Sequence, residues 1–306
     1  MKWTAIPLML ALATPLFAEV PKFQPVEGDR IVFLGGTLVE RDQSYGFFET
    51  MLLIRFKDIN FTFRNLGWSG DTVWGEARAG FGTQKDGYAS LLKQVNECKP
   101  TILLVNYGMN ESFDGEAGLP HFIEGYNALL DDLAKTGAKI WLISPNCHED
   151  LGRPLPDPTV HNQQIKLYTE ASAKIAGKRG CGFVNLFEIL PDGTKGKPPM
   201  ALTDNGIHFN EYGSARLGSD LIRGLGVEVR PDNTVTGEQF QALLTATIKK
   251  NREYFYRWRP QNETYIFGFR KHEQGRNAIE IPQFDPIIEK LESKINELKK
   301  QESSPK

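Results

Sequence analysis

The sequence has few cysteines, no excess of positive charge and only one long apolar run. The formal charge of −2 argues against a nucleic-acid partner, because phosphate recognition needs a surplus of Lys and Arg. The three cysteines among 306 residues are Cys98, Cys147 and Cys181. Cys98 and Cys181 precede predicted strands, whereas Cys147 follows one and so lies at the opposite edge of the predicted sheet. We therefore expect buried thiols rather than disulfides.

The apolar run lies at the start of the chain, from Ala5 to Ala18, and follows Lys2. Pro7 and Pro15 interrupt it, and it is shorter than the ~20 residues that a membrane span needs. A basic start, an apolar stretch and a small residue at its end are typical of a secretory signal. The sequence predicts a signal peptide over residues 1–18, no membrane span after its cleavage, and a secreted or periplasmic protein. An uncleaved anchor or N-terminal helix is the alternative.

Apolar runs rich in β-branched or aromatic residues alternate with helical patterns along the chain. The predicted strands cover Ile31–Leu34, Phe61–Leu66, Thr101–Tyr107, Lys139–Ile143 and Gly182–Phe187. The predicted helices cover Tyr45–Phe56, Tyr88–Cys98, Phe122–Ala134 and Val160–Ala176. This alternation predicts an α/β fold, a three-layer α/β/α sandwich around a five-stranded, mostly parallel sheet. Functional residues should then lie on the loops beyond the carboxyl ends of the strands.

Short polar motifs follow the first three predicted strands. They are Gly35-Gly36-Thr37-Leu38, Ser69-Gly70-Asp71-Thr72 and Gly108-Met109-Asn110-Glu111, and a fourth, Leu202-Thr203-Asp204-Asn205-Gly206-Ile207-His208, comes far downstream. Any one of them would be weak evidence, because glycine-containing turns are common by chance. The ordered set of motifs, meeting at one edge of the sheet, indicates a functional site.

The order and spacing of these motifs resemble the four sequence blocks of the SGNH (GDSL-type) hydrolase family, in a divergent secreted bacterial branch. The resemblance covers roughly Ile31 to Gly224. It implies the flavodoxin-like SGNH fold and hydrolysis of an ester without a cofactor. It also implies that the Gly70 backbone N–H and the Asn110 side-chain amide stabilise the oxyanion, and that His208 is the base.

The chain departs from the family pattern at two catalytic positions. Thr37 stands where the family has a serine nucleophile, and its extra methyl group restricts χ1 and crowds the line of attack. Asn205 stands where the family has an aspartate that orients the base, and Asp204 comes one position earlier. The alternatives for Thr37 are a nucleophile or a binding hydroxyl beside a water that His208 activates. Either Asn205, by resemblance, or Asp204, by its chemistry, is predicted to face His208.

Two further residues near the motifs are candidates for substrate binding, Trp68 and Glu111. The aromatic and arginine side chains around these motifs suit a carbohydrate or an acidic glycan, although Trp68 adjoins a predicted strand and core packing is at least as good an interpretation. The segment His148-Glu149-Asp150 has no recognised metal-ligand spacing, so we predict a solvated loop there and no metal.

The C-terminal region has a different composition from the rest of the chain. The predicted domain covers residues 19–250, and residues 251–306 contain an aromatic strap, Tyr254 to Phe269, and a last helix, Pro286 to Lys300. So many aromatic side chains would not be left in water, and we expect them to lie across the domain. The last helix has an apolar stripe that leaves a homodimer contact open.

The sequence therefore predicts a secreted hydrolase that removes a small acyl group, most simply acetyl, from a carbohydrate or another small-molecule ester. The alternative is a catalytically impaired glycan-binding protein with the same fold. A nucleotide-binding protein is a third hypothesis, but the dinucleotide glycine fingerprint and a phosphate-loop lysine are missing from the sequence.

Overall fold

The computed structural model describes residues 21–189, 200–228, 235–273, 275 and 277–301, so the predicted signal peptide lies outside the described residues. Five strands form one sheet, and they are β1 (Arg30–Gly35), β2 (Thr62–Gly67), β3 (Ile102–Asn106), β4 (Lys139–Ile143) and β5 (Gly182–Val184). All neighbouring strands are parallel, in the order β2-β1-β3-β4-β5. The predicted strands are confirmed to within a few residues at their ends.

Helices cover both faces of the sheet. They are α1 (Thr37–Tyr45), α2 (Phe47–Arg55), α3 (Gln84–Cys98), α4 (Gly115–Ala134), α5 (Thr159–Arg179), α6 (Leu186–Ile189), α7 (Glu211–Gly224), α8 (Gly237–Trp258), α9 (Glu263–Ile266) and α10 (Phe284–Leu298). Within the described ranges, no helix is both long and apolar enough to cross a membrane. The predicted three-layer α/β/α sandwich is confirmed.

The two faces of the sheet belong to separate apolar cores because side chains alternate along a strand. Phe33 of β1 packs with Phe48 of α2 and with side chains of α7 and α8. Leu34, its neighbour, packs on the other face with Leu91 of α3 and Tyr126 of α4. Because helices cover both faces of the sheet, β1 is a continuous apolar run. Such a run can be recognised in the sequence, and the strand was predicted for this reason.

The helix predicted over Tyr45–Phe56 is confirmed as α2, but the helix before it, α1, was not predicted from the sequence. The structure has two helices, because Gly46 ends α1 in the left-handed region with φ of +66°. A β-carbon at this position would lie 3.1 Å from Cγ1 of Ile248 in α8, so glycine meets both the backbone and the packing requirement. Helix α1 therefore begins at Thr37, directly after β1.

The C-terminal region packs against the domain through α8. This helix continues across residue 250, where the predicted domain ends, and includes the first aromatic residues of the predicted strap. Ile288 and Ile295 of α10 are each 3% exposed, and α10 packs along α8. Part of the apolar stripe on the last helix is thus buried within the chain, and the homodimer contact stays a prediction.

The three cysteines all lie in the described part of the chain, and no disulfide joins them. Cys147 is buried, and Cys98 and Cys181 are partly buried. Burial raises the pKa of the Cys98 and Cys181 thiols, so both favour the neutral form. The expectation of thiols is confirmed for all three cysteines, and the expected burial is confirmed for Cys147 alone.

Candidate active site

The predicted site residues come together at the carboxyl edge of the sheet. Parallel pairing sets Gly35 at the end of β1 opposite Gly67 of β2 and Asn106 of β3, so the loops that follow all start side by side. These loops surround a cleft whose wall includes Thr37, Asn110 and His208. Residues that are far apart in the sequence therefore share one cleft, as the motif order predicts.

Thr37 is the first residue of α1, and its side chain contacts the second motif. Its Oγ1 accepts a hydrogen bond from the backbone N–H of Gly70 at 3.2 Å. The first N–H groups of a helix have no acceptor within the helix, and its N-terminus carries partial positive charge. The N-terminus of α1 therefore stabilises a negative charge that develops on an oxygen near Thr37, whatever the side chain of Thr37 does.

Gly70 lies in an exposed turn between β2 and the cleft. The N–H of Asp71 donates to the carbonyl oxygen of Trp68 at 3.0 Å, which closes the turn, and Gly70 has φ of +79°. This conformation favours glycine and points the Gly70 N–H at Thr37. The same N–H can serve an oxyanion that forms beside the Thr37 hydroxyl once its bond to Oγ1 breaks.

Asn110 approaches Thr37 from the third motif. Its side-chain amide donates to the carbonyl oxygen of Asp71 at 2.7 Å. A β-carbon built on Gly36 would lie 3.5 Å from the Asn110 Nδ2 atom, so glycine at position 36 allows the amide close to the backbone before Thr37. The Gly70 N–H, the Thr37 N–H and the Asn110 amide thus border the same end of the cleft, the arrangement that oxyanion stabilisation requires.

His208 and Asn205 interact directly. The Asn205 Nδ2 atom lies 3.3 Å from Nδ1 of His208, and the Asn205 Oδ1 atom accepts the backbone N–H groups of Ile207 and His208 at 3.2 and 2.9 Å. These two backbone donors assign the amide orientation, so the group facing Nδ1 is a donor. Nδ1 of His208 must then accept, and the ring proton of the neutral imidazole lies on Nε2.

The carboxylate of Asp204 faces Arg41. One carboxylate oxygen lies 3.8 Å from Nη2 of Arg41, and Asp204 is largely exposed. Burial and the Arg41 charge lower the pKa of His208, and the Asp204 charge opposes that shift. His208 is therefore neutral at neutral pH, and of the two predicted orienting residues it is Asn205 that contacts its ring.

Glu149 fixes the loop that carries His208, a role that was not predicted from the sequence. Its carboxylate accepts the backbone N–H groups of Leu202 and Thr203 at 2.8 to 3.0 Å and the Thr203 hydroxyl at 2.6 Å. The prediction of a solvated loop here is wrong, since Glu149 is bonded and His148 is 7% exposed. In the described ranges, no group of three or more His, Cys, Asp or Glu side chains could hold a metal.

Glu111 lines the cleft, but its carboxylate binds backbone. Oε1 accepts the N–H of Val73 and Oε2 accepts the N–H of Gly108, both at 2.9 Å. Burial raises the pKa of Glu111 to about 7 despite these bonds. The side chain thus joins the second and third motifs, and its substrate-binding role stays a prediction.

Asp71 is the centre of a second buried network behind the cleft. Its Oδ2 accepts bonds from Nε of Arg78 at 2.7 Å and from the hydroxyl of Tyr107 at 3.0 Å. Arg78 and Asp71 have fully buried side chains, and Arg78 also donates to the carbonyl oxygen of Leu66 at 2.8 Å. This pair fixes the backbone whose carbonyl oxygen accepts the Asn110 amide.

Trp68 lies beside the turn of Gly70 and faces the C-terminal region. Its ring lies 5.8 Å from that of Trp258, 5.5 Å from the guanidinium carbon of Arg78 and 3.8 Å from that of Arg259. These contacts occupy the ring with protein groups, which fits the core-packing interpretation. A contact of Trp68 with substrate stays a prediction.

Comparison with known families agrees with the motifs and the site geometry. The family model described as GDSL-like Lipase/Acylhydrolase matches residues 26–216. The chain belongs to this family. Its match runs from before β1 into the first half of α7 and includes Thr37, Gly70, Asn110 and His208. Among proteins with curated annotation, none matches this sequence.

Solved structures share the fold at low sequence identity. The gut microbial diltiazem-metabolizing enzyme BT4096 has a TM-score of 0.65 and 14% identity, over 92% of this chain and 97% of that one. A catalytic mutant of Axe2, an acetylxylan esterase from Geobacillus stearothermophilus, has a TM-score of 0.53 and 17% identity, over 68% of this chain and 100% of that one. LAE5, an alpha/beta hydrolase from the metagenome of Lake Arreo, has a TM-score of 0.50 and 19% identity, over 66% and 96%.

Proposed function

We propose that this GDSL-family protein hydrolyses a small acyl ester, most simply an acetyl ester on a carbohydrate, and that it acts outside the cytoplasm. The observation that supports the proposal is the meeting of the Thr37 hydroxyl, the Gly70 N–H, the Asn110 amide and His208 at one cleft. The family description supports acyl-ester hydrolysis. The acetylxylan esterase with the same fold supports the acetyl and carbohydrate parts of the proposal.

In the proposed reaction the Thr37 hydroxyl oxygen attacks the ester carbonyl carbon and its proton passes to Nε2 of His208. The carbonyl oxygen becomes an oxyanion that the Gly70 N–H, the Thr37 N–H and the Asn110 amide stabilise. The protonated His208 then gives its proton to the leaving alcohol, and an acyl-Thr37 ester remains. Water attacks this ester with His208 again as the base, which releases the acid and restores Thr37.

The contact between Asn205 and His208 makes the first proton transfer costly. An imidazole with its proton on Nε2 cannot accept another there, so the proton must first move to Nδ1. The Asn205 amide, which donates to Nδ1, has to rotate away from it. An amide also cannot stabilise the imidazolium that follows, and loss of the carboxylate partner costs about 10⁴ in turnover in a serine protease. We therefore expect slow hydrolysis with the natural residues.

The same contact supports a second candidate function, a glycan-binding protein that has retained the cleft and lost turnover. The test is hydrolysis of 4-nitrophenyl acetate and of acetylated xylo-oligosaccharides by the wild type, His208→Ala and His121→Ala. His121 is a matched control because it stacks on Trp74 at 4.7 Å and does not line the cleft. Activity that His208→Ala removes and His121→Ala keeps supports the esterase. No hydrolysis by any protein, with saturable oligosaccharide binding that His208→Ala weakens, supports the binding function instead.

The location outside the cytoplasm is supported by the predicted signal over residues 1–18. Expression of the full chain followed by cell fractionation tests it. A mature protein that begins at Glu19 in the periplasm or medium is the expected result, and an uncut protein in the cytoplasm would contradict it.

A further inference from the structure

The C-terminal extension, meaning α8 and the residues after it, is fixed to the rest of the domain by a buried ion pair. The ammonium group of Lys250 in α8 lies 2.7 and 2.9 Å from the two carboxylate oxygens of Glu49 in α2 and 3.1 Å from the carbonyl oxygen of Phe63 in β2. The side chains of Lys250 and Glu49 are 1% and 4% exposed. Charges buried this deeply need their partner, so the pair fixes the position of α8 against α2 and β2. Arg259, directly after α8, therefore reaches the domain surface at a defined place.

Arg259 contacts two residues that border the turn of Gly70. Its guanidinium carbon lies 3.8 Å from the ring centroid of Trp68, and its Nη1 lies 2.5 Å from Oε2 of Glu40. A planar guanidinium can stack on an aromatic ring and bind a carboxylate at the same time, which the ammonium group of lysine does less well.

Glu40 transmits this contact to the turn. The oxygen that binds Arg259 also accepts the backbone N–H of Ser69 at 2.7 Å. Glu40 lies in the first turn of α1, next to Thr37 in space, so its carboxylate joins α1, the turn and the C-terminal extension.

The turn depends on hydrogen bonds because Ser69 and Gly70 are exposed and have little apolar packing. The Gly70 N–H donates to the Thr37 hydroxyl oxygen, and this bond has to break when the N–H turns to an oxyanion. The bond from Ser69 to Glu40 remains during that step and keeps the neighbouring peptide in place. Its strength depends on a Glu40 carboxylate that is held by Arg259.

We infer that Arg259 is a positioning residue for the Gly70 oxyanion donor, acting through Glu40 and Trp68. The inference rests on the proposed function, because Gly70 is an oxyanion donor only in a site that carries out acyl transfer. The C-terminal extension would then contribute to catalysis. It lies outside the residues that the family model matches.

The test compares Arg259→Gln with Arg257→Gln. Arg257 is a matched control because it lies two residues earlier, in the last turn of α8, and also forms an ion pair, at 2.8 Å, but with Asp285 of α10. For 4-nitrophenyl acetate, we expect Arg259→Gln to lower kcat about 10-fold with KM within twofold, below the 10²–10³ that loss of a whole donor costs. Arg257→Gln should keep the wild-type kcat, and Arg259→Lys should have a kcat between those of the wild type and Arg259→Gln. The double variant Glu40→Gln with Arg259→Gln should have the same kcat as Glu40→Gln alone, because both residues act through one contact.

Hydrogen exchange of the 66–72 segment, followed by mass spectrometry, measures the turn without an ester. Faster exchange in Arg259→Gln than in the wild type and Arg257→Gln is expected. Unchanged exchange, or an equal loss of kcat in the two arginine variants, would overturn the inference. If the wild type hydrolyses no ester, the proposed function is wrong, and the exchange data still decide whether Arg259 positions the turn.

Discussion

The side-chain amide of Asn205 donates a hydrogen bond to Nδ1 of His208 over 3.3 Å. In an acyl-transfer site the partner at this position normally accepts the Nδ1 proton, which leaves Nε2 free to act as a base. Here the donor and acceptor are reversed, so the resting His208 presents an N–H to the cleft. Because of this contact we expect slow ester hydrolysis. The contact also predicts whether a substitution at position 205 should raise or lower the turnover.

Exchanging this amide for a carboxylate should raise turnover. In Asn205→Asp, one oxygen keeps the backbone N–H groups of Ile207 and His208, and the other accepts the Nδ1 proton of His208. We expect kcat for 4-nitrophenyl acetate to rise at least ~10-fold, part of the ~10⁴ that such a carboxylate is worth. Asp204→Asn is the matched control and should be nearly silent. A collapse of activity in Asp204→Asn alone would show that Asp204 is the orienting residue.

Changes at Thr37 should separate attack by its hydroxyl from attack by water. Thr37→Ser removes the crowding methyl group and should preserve or increase kcat, whereas Thr37→Val, of nearly equal size, should abolish it. Mass spectrometry after mixing with a fluorophosphonate should find the adduct on Thr37. An active Thr37→Val protein with no trapped adduct would mean that His208 activates water directly.

Activity should persist below the pH at which an ordinary histidine loses its base function. Burial and the Arg41 charge lower the pKa of His208, so its neutral form, and with it kcat/KM, is lost only when the pH falls below the usual ~6.5. Arg41→Gln should move this acidic limb to higher pH, and Asp204→Asn should move it to lower pH because Asp204 favours the charged ring. An NMR titration of His208 checks both shifts independently of turnover. Shifts in the same direction would contradict the charge assignment.

Folding stability should depend on the residues of the extension between Lys250 and Lys300 and not on those after Lys300. Truncation after Lys300 should leave the melting temperature almost unchanged. Truncation after Lys250 cuts α8 and exposes apolar surface, so aggregation or a much lower melting temperature is expected. Lys250→Met in the full chain leaves Glu49 buried without its cation and should cost about 3–5 kcal/mol. A soluble truncation at Lys250 with unchanged stability would show that the extension is independent.

The architecture could be predicted from the sequence because each strand is buried on both faces. Ile31 to Leu34 is a continuous apolar run for that reason, and runs of this kind alternating with helices allow a parallel sheet. The helix that begins at Thr37 escaped prediction because Gly46 divides the helical pattern, and its left-handed conformation is tied to a contact with Ile248 of α8.

The strand pattern in the sequence predicts that the first three motifs lie at one edge of the sheet, because each of them follows the carboxyl end of a parallel strand. Thr37, Gly70 and Asn110 are candidates on that ground together with the family resemblance, and His208 is a candidate by the resemblance. The contact of an amide with Nδ1 of His208, and the approach of Arg259 to the turn of Gly70, are visible only in the folded chain. Such contacts depend on side-chain orientation and on packing between segments far apart in the chain, and neither leaves a local periodic pattern in a sequence.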